Sequence, residues 1–114
     1  MHELSIASAI LDAVRNEADK HPGAHVLKVG VRIGVLSGVE PEALSFGFSA
    51  LVQGTTLEPL ALEIEAVPRR QRCSACNLTF DVLEESLACP RCANDQTTLA
   101  GGEELDLAYL EVED

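Results

Sequence analysis

Two sets of residues in this chain have the types and spacing to bind metal. The first is the leading tripeptide, Met1-His2-Glu3. A histidine second in the chain sets an imidazole beside the α-amino group, and the peptide nitrogens around it add further donors. Only a metal that favours square-planar nitrogen coordination, nickel(II) or copper(II), makes full use of that arrangement. The bulk of His2 disfavours removal of the initiator methionine, so the amine is expected to stay in place. A clipped or extended start would break the set. The second is Cys73-Ser-Ala-Cys76, followed after twelve residues by Cys89-Pro-Arg-Cys92. Two Cys-x-x-Cys pairs at this spacing specify a closed tetrahedral site, because each short turn aims two sulfurs at one point. Zinc held there by four protein ligands is structural. Iron in a rubredoxin-like site is the main rival. A thioredoxin-type redox pair fits poorly, since no βαβ unit puts either pair at a helix start.

Each set has a blander reading. A histidine near a terminus is ordinarily an incidental solvated residue, and a cysteine lobe is ordinarily a scaffold. Three features raise His2 above that: the methionine start, a helix that begins at once and orders the segment, and the second metal site. His21 and His25 flank the Pro22-Gly23 turn and read as loop residues without a role.

Composition narrows the classes. With 114 residues and a hydrophobic fraction of 46%, the chain is one folded domain with room for a small appended lobe. No run reaches the roughly 18 apolar residues of a membrane span. The leading segment lacks the basic region of a signal peptide, and Glu3 and Asp12 bracket an apolar stretch that is too short for one. Paired cysteines without a secretory signal point to a cytoplasmic metal protein rather than a disulfide framework. The net charge of −11 repels nucleic acid phosphates and draws cations or basic partner surfaces. Arg69, Arg70, Arg72 and Arg91 cluster near the cysteines, but Asp81, Glu84, Glu85 and an anionic thiolate centre offset them. One tyrosine and no tryptophan leave little for base stacking. These arginines are expected to form local pairs or to meet an acidic protein surface.

The elements that must position both sites follow from periodicity. Leu4, Ala7, Leu11, Val14 and Ala18, with Ile10 beside them, form the stripe of an amphipathic helix over Glu3 to Lys20, stopped by His21-Pro22-Gly23. Leu27, Val29, Val31, Ile33 and Val35 alternate with polar or small residues as a strand with one buried face. Pro41 opens a second helix with the stripe Leu44, Phe48 and Leu51, and Gly54 ends it. Leu60 to Val67 alternates again. A last strand runs from about Glu104 to Val112, where a slip near Ala108 predicts a β-bulge. The expected fold is α+β. A three-stranded sheet with two helices takes residues 1–67 and 103–114, and residues 68–102 form an inserted zinc-ribbon lobe. Phe80, Val82 and Leu83 are the candidate core of that lobe, which is too small to fold without its metal. Asn77 and Asn94 are expected to take the left-handed turns after the cysteine pairs.

Met-His-Glu-Leu-Ser-Ile at the start resembles the HypA/HybF family of nickel metallochaperones for NiFe hydrogenase maturation. So do Gly34-Val35-Leu36-Ser37-Gly38-Val39, Pro41-Glu42-Ala43-Leu44-Ser45-Phe46, Gly54-Thr55, the two cysteine pairs and Glu104-Leu105. The likeness runs in order through essentially the whole chain. It implies nickel(II) as cargo on His2, the Met1 amine and neighbouring backbone nitrogens, with Glu3 close by, and structural zinc(II) on Cys73, Cys76, Cys89 and Cys92. It also implies the GTPase HypB and the hydrogenase large-subunit precursor as partners, with no nucleic acid and no membrane insertion. With the resemblance, the first reading is a non-enzymatic nickel carrier; the residues themselves show no catalytic triad, phosphate loop or open catalytic zinc site. The alternative is a zinc-ribbon adaptor, joining proteins or nucleic acid, that carries no mobile metal.

Overall fold

The computed structural model describes residues 2–113. The helix α1 (Glu3–Asp19) buries Ala7, Ile10, Leu11 and Val14, the middle of the expected stripe. Leu4, its first member, lies near Gly47 of α2 but stays 58% exposed. After the Gly23 turn, at a φ of +87°, comes the strand β1 (His25–Gly34), whose Val29, Val31 and Ile33 point into the core. Val35 falls beyond the strand and is exposed. The helix α2 (Pro41–Val52) starts on Pro41, with the Glu40 carboxylate accepting the Glu42 N–H at 3.1 Å as its cap. Gly54, at φ +78°, follows its end. It contributes Leu44, Phe48 and Val52 to the core.

β2 (Ala61–Val67) runs parallel to β1, so β1, α2 and β2 make a crossover unit. The chain then leaves for the cysteine lobe and returns as β6 (Leu105–Glu113), antiparallel to β1 on its other side. The sheet order is β2-β1-β6, with the two helices against one face. The bulge lies where the alternation slips: Gly30 pairs with Tyr109 and Val31 with Leu107, leaving Ala108 as the extra residue.

The inserted segment forms a second sheet from β3 (Arg70–Cys73), β4 (Thr79–Asp81) and β5 (Thr97–Gly101), in the order β4-β3-β5. Its interior differs from expectation. Phe80 and Val82 are only half-buried and Leu83 is 84% exposed. In their place Gln71 is buried; it donates to Thr97 Oγ1 at 3.0 Å and accepts from Arg69 Nε at 3.1 Å. Thr97 passes the chain on to the Leu87 carbonyl at 2.8 Å. The radius of gyration, 17.8 Å, exceeds the roughly 13 Å of a compact chain this long, so the two sheets stand end to end rather than stacked.

On the sheet face away from the helices, the Tyr109 ring lies flat across Gly30. A Cβ at position 30 would meet Tyr109 Cε2 at 2.1 Å. The Tyr109 hydroxyl donates to the Glu63 carboxylate, which also takes Lys28 Nζ at 3.3 Å. That bond pushes the tyrosine up to about 12 and holds Glu63 below the usual carboxylate range. Gly30→Ala must therefore displace the ring, at about 1–3 kcal/mol of stability. In a Tyr109→Ala background the same change should cost far less, leaving a coupling above about 0.5 kcal/mol in urea unfolding of the four proteins.

Candidate metal centres

The cysteine pairs sit on two equivalent knuckles. In the first, Cys73 N donates to the Leu78 carbonyl at 2.9 Å and Asn77 N to the Cys73 carbonyl at 3.0 Å. In the second, Cys89 N donates to the Asn94 carbonyl at 2.9 Å and Ala93 N to the Cys89 carbonyl at 2.8 Å. Each knuckle needs a left-handed residue directly after its second cysteine. Those residues are Asn77, at φ +64°, and Ala93, at φ +65°. Asn94 is thus one position too late for that role; its side chain accepts Gln96 N at 3.0 Å instead.

The knuckles face each other so that all four sulfurs lie within 4.8 Å of one another. Cys73 Sγ is 3.5 Å from Cys92 Sγ, and Cys76 Sγ is 3.6 Å from Cys89 Sγ. Four sulfurs at ~2.3 Å from a tetrahedral zinc ion stand roughly 3.8 Å apart, so the group has the right size. Cys73 and Cys89 are buried, Cys76 half-buried and Cys92 exposed. It is the one metal-sized group of His, Cys, Asp and Glu found among the described residues.

The electrostatics also suit a cation. The Cys76 amide and then that of Ala75 lower the Cys73 thiol. The Leu78 amide, followed by the Arg91 guanidinium, brings Cys76 down to about 6. At Cys92 the Asn94 amide also lowers the thiol, but the crowded sulfurs of Cys73, Cys89 and Cys76 outweigh it and push it up to about 11. The backbone is arranged for anionic sulfur, and burial together with the crowding of the four sulfurs opposes full ionisation. A divalent ion relieves that crowding.

The expected local pairing of the arginines is present. Arg70 Nε meets Asp81 at 3.1 Å, Arg72 reaches Asn77 Oδ1 at 3.4 Å, and Arg91 donates to the Cys76 carbonyl at 3.2 Å. Sequence reasoning did not pick out Arg91 as a support of the thiolate site. Its place between Cys89 and Cys92 was the available signal.

At the other site, His2 is the exposed N-cap residue of α1, and its carbonyl accepts Ile6 N at 2.9 Å. Glu3 Oε2 accepts the backbone N–H of Glu40 at 3.0 Å. That bond, and then Glu3's own N–H, holds its carboxyl below the usual range. The start of α1 is thereby tied to the cap of α2. Met1, the expected amine donor, lies outside the described residues.

Comparison with known proteins places these features in a family. A family model described as "Hydrogenase/urease nickel incorporation, metallochaperone, hypA" matches residues 1–112. The hydrogenase maturation factor HypA of Desulfitobacterium hafniense is 39% identical over 114 residues, covering both chains completely. That of Methylocella silvestris is 37% identical over 113 residues, 99% of this chain and 100% of its own. In fold, the chain is similar to the solution structure of the Ni metallochaperone HypA from Helicobacter pylori, with a TM-score of 0.65, 22% identity and 97% of each chain covered. A second solution structure of a HypA protein gives a TM-score of 0.72 at 22% identity, covering 99% of this chain and 97% of that one.

Zinc release on acidification tests the sulfur site. Because Cys76 is lowered from 9 to about 6, its contribution to the folded lobe is complete above pH ~9 and is lost as pH falls through about 6. Arg91→Gln removes a cation that holds this thiolate, so the midpoint of zinc release should move up by roughly half to one pH unit. A chromophoric zinc indicator reads it.

Proposed function

Since the chain belongs to the HypA family of hydrogenase/urease nickel-incorporation metallochaperones, we propose that it takes up nickel(II) at its first residues and hands it on. Nickel incorporation in hydrogenase maturation is the work of this family, and the four cysteines are positioned for a zinc site. The observation that carries the reading is the match over residues 1–112, which spans the leading tripeptide and both cysteine pairs. The finer assignments are ours. Nickel lies on the Met1 amine, His2 and Glu3 in a lobe of residues 1–67 and 103–114, and zinc on Cys73, Cys76, Cys89 and Cys92 in residues 68–102.

The residues of this chain support that division of labour. His2 is exposed and one residue from the helix, so its imidazole is presented by an ordered segment that a partner can still reach. N–H groups in the first turn of a helix have no intrahelical partner, so nickel can take a deprotonated amide there without breaking the helix. Glu3, held by Glu40, fixes where the first turn sits and places a negative charge beside the cation. A site with few anchoring side chains, open to solvent, exchanges its ion readily. Nitrogen donors bind copper(II) more strongly than nickel(II), so selection rests with partners and metal availability. When bound, zinc supplies a structural cross-link between the two knuckles.

The protein then acts as a carrier without catalysis of its own, in the cytoplasm, where the maturation proteins HypB and the hydrogenase large-subunit precursor are its partners. No described helix is long and apolar enough to cross a membrane. The deciding experiment is nickel titration of untagged, zinc-loaded protein with metal analysis. His2→Ala, or a tag placed before Met1, should weaken nickel binding by at least roughly a hundredfold while zinc content is unchanged. Nickel uptake that survived His2→Ala intact would remove the central residue of the site.

A further inference from the structure

β6 is hydrogen-bonded on one side only, to β1; its other edge has no strand beside it among the described residues. Chiefly, α1 lies against β1 and α2 against β2. The helix-side face of β6 is thinly covered as a result, and Leu105, Leu107 and Val112 are 45%, 40% and 48% exposed. Ile6, Ala9 and Ala13 of α1, with Leu105 and Leu107 of β6, line an open apolar groove of about 260 Å³. Farther along, Leu110 continues it beside Asn16 and Glu17.

With the bulge at Ala108 counted, alternation sorts β6 into two rows. Leu105, Leu107, Leu110 and Val112 share the helix side, while Asp106, Tyr109, Glu111 and Glu113 share the opposite face. There Lys28 and Arg32 of β1 stand opposite Glu111 and Asp106 on the inner side and leave the outer side of the acidic residues toward the edge. We propose that this edge accepts, by strand addition, an extended segment of a partner protein in which apolar and basic residues alternate. The segment continues the sheet through main-chain hydrogen bonds. Its apolar side chains enter the groove against Ala9 and Ala13, whose small size leaves them room. Its basic side chains lie on the other face, beside the acidic row, where cross-strand neighbours of opposite charge attract.

Other occupants answer fewer of these features. A helix would cover the apolar groove but leave the strand edge unpaired and the acidic row on the far face untouched. A second copy would set acidic row beside acidic row, between chains that each carry −11. Basic charge in the partner is therefore part of the fit.

The probe is a synthetic peptide as long as the nine-residue β6, alternating valine and lysine, titrated into isotope-labelled, zinc-loaded full-length protein. Amide shifts and slowed hydrogen exchange should follow β6 and the flank of α1 at Ala9 and Ala13. N-methylating alternate residues of the peptide, which blocks main-chain bonding, should weaken binding at least roughly tenfold, as should Leu107→Lys. The peptide arm needs no change to the protein, so a folding defect in the variant cannot mask the answer. The proposal is overturned if the N-methylated peptide binds equally well. It is also overturned if a peptide of the same composition in helical order binds the groove more tightly, or if the protein alone dimerises through β6.

Discussion

The pairing of β1 with β6 holds the architecture together. Among the described residues, β1 is the only strand in its sheet with a neighbour on both sides, and its inward residues Val29, Val31 and Ile33 form the floor under both helices. One neighbour, β2, arrives through a short crossover; the other arrives only after the chain has built the cysteine lobe. Bringing Leu105 back beside Ile33 closes a loop from Val67 that costs about 3 kcal/mol in chain entropy on the logarithmic scale. Cross-linking Cys73 and Cys76 to Cys89 and Cys92 through one ion ties off the middle of that loop. The sulfur site thus lowers the cost of completing a sheet it does not touch.

The join between the lobes is made of backbone. Val35 N donates to the Val67 carbonyl at 2.9 Å, and Leu36 N to the Gly102 carbonyl at 2.7 Å, so the chain after β1 lies between the strand leaving the sheet and the one returning. Gly102 has a φ of +118°, and a Cβ there would come within 2.9 Å of Arg69 Cα. No other residue fits that crossing without moving the outgoing chain at Arg69. Its N–H is taken by Glu104 Oε1 at 2.7 Å, which leaves this crossing hydrogen-bonded on both sides. A hinge of loose residues would need none of this.

Much of this was legible in the residues, for definite reasons. Helix stripes, the alternation of β1 and the slip at Ala108 report burial on one face, and burial is what periodicity encodes. The sulfur cluster was legible because Cys-x-x-Cys fixes two ligands per turn. Expectation failed inside the small lobe. Its strands are as short as three residues, and its interior is a polar relay through Gln71 and Thr97, so hydrophobic pattern carried no signal there. Hydrophobicity alone marks Leu83 as core, yet it is largely in solvent. Ala93 sits in a left-handed turn that its residue type does not advertise; the symmetry of the two knuckles imposes it. The sequence marks Glu3 only as a neighbour of the leading histidine, and its bond to Glu40 depends on the fold.

The sulfur cluster and the proposed nickel site differ in what surrounds them, and that difference suits the one to a resident ion and the other to a cargo. Around the sulfurs, backbone amides and Arg91 are directed at groups that they help to ionise, and a cation between them relieves the crowding that remains. Releasing that ion would leave four crowded sulfurs to take up protons, so the lobe opposes release. Around His2 there is solvent, one helical turn and a carboxylate already committed to Glu40. Losing an ion there exposes nothing that was buried and breaks no contact between elements. On the nickel assignment proposed above, the folded protein is nearly indifferent to whether its first residues are loaded, and a receiving protein competes for the ion on ligand strength alone.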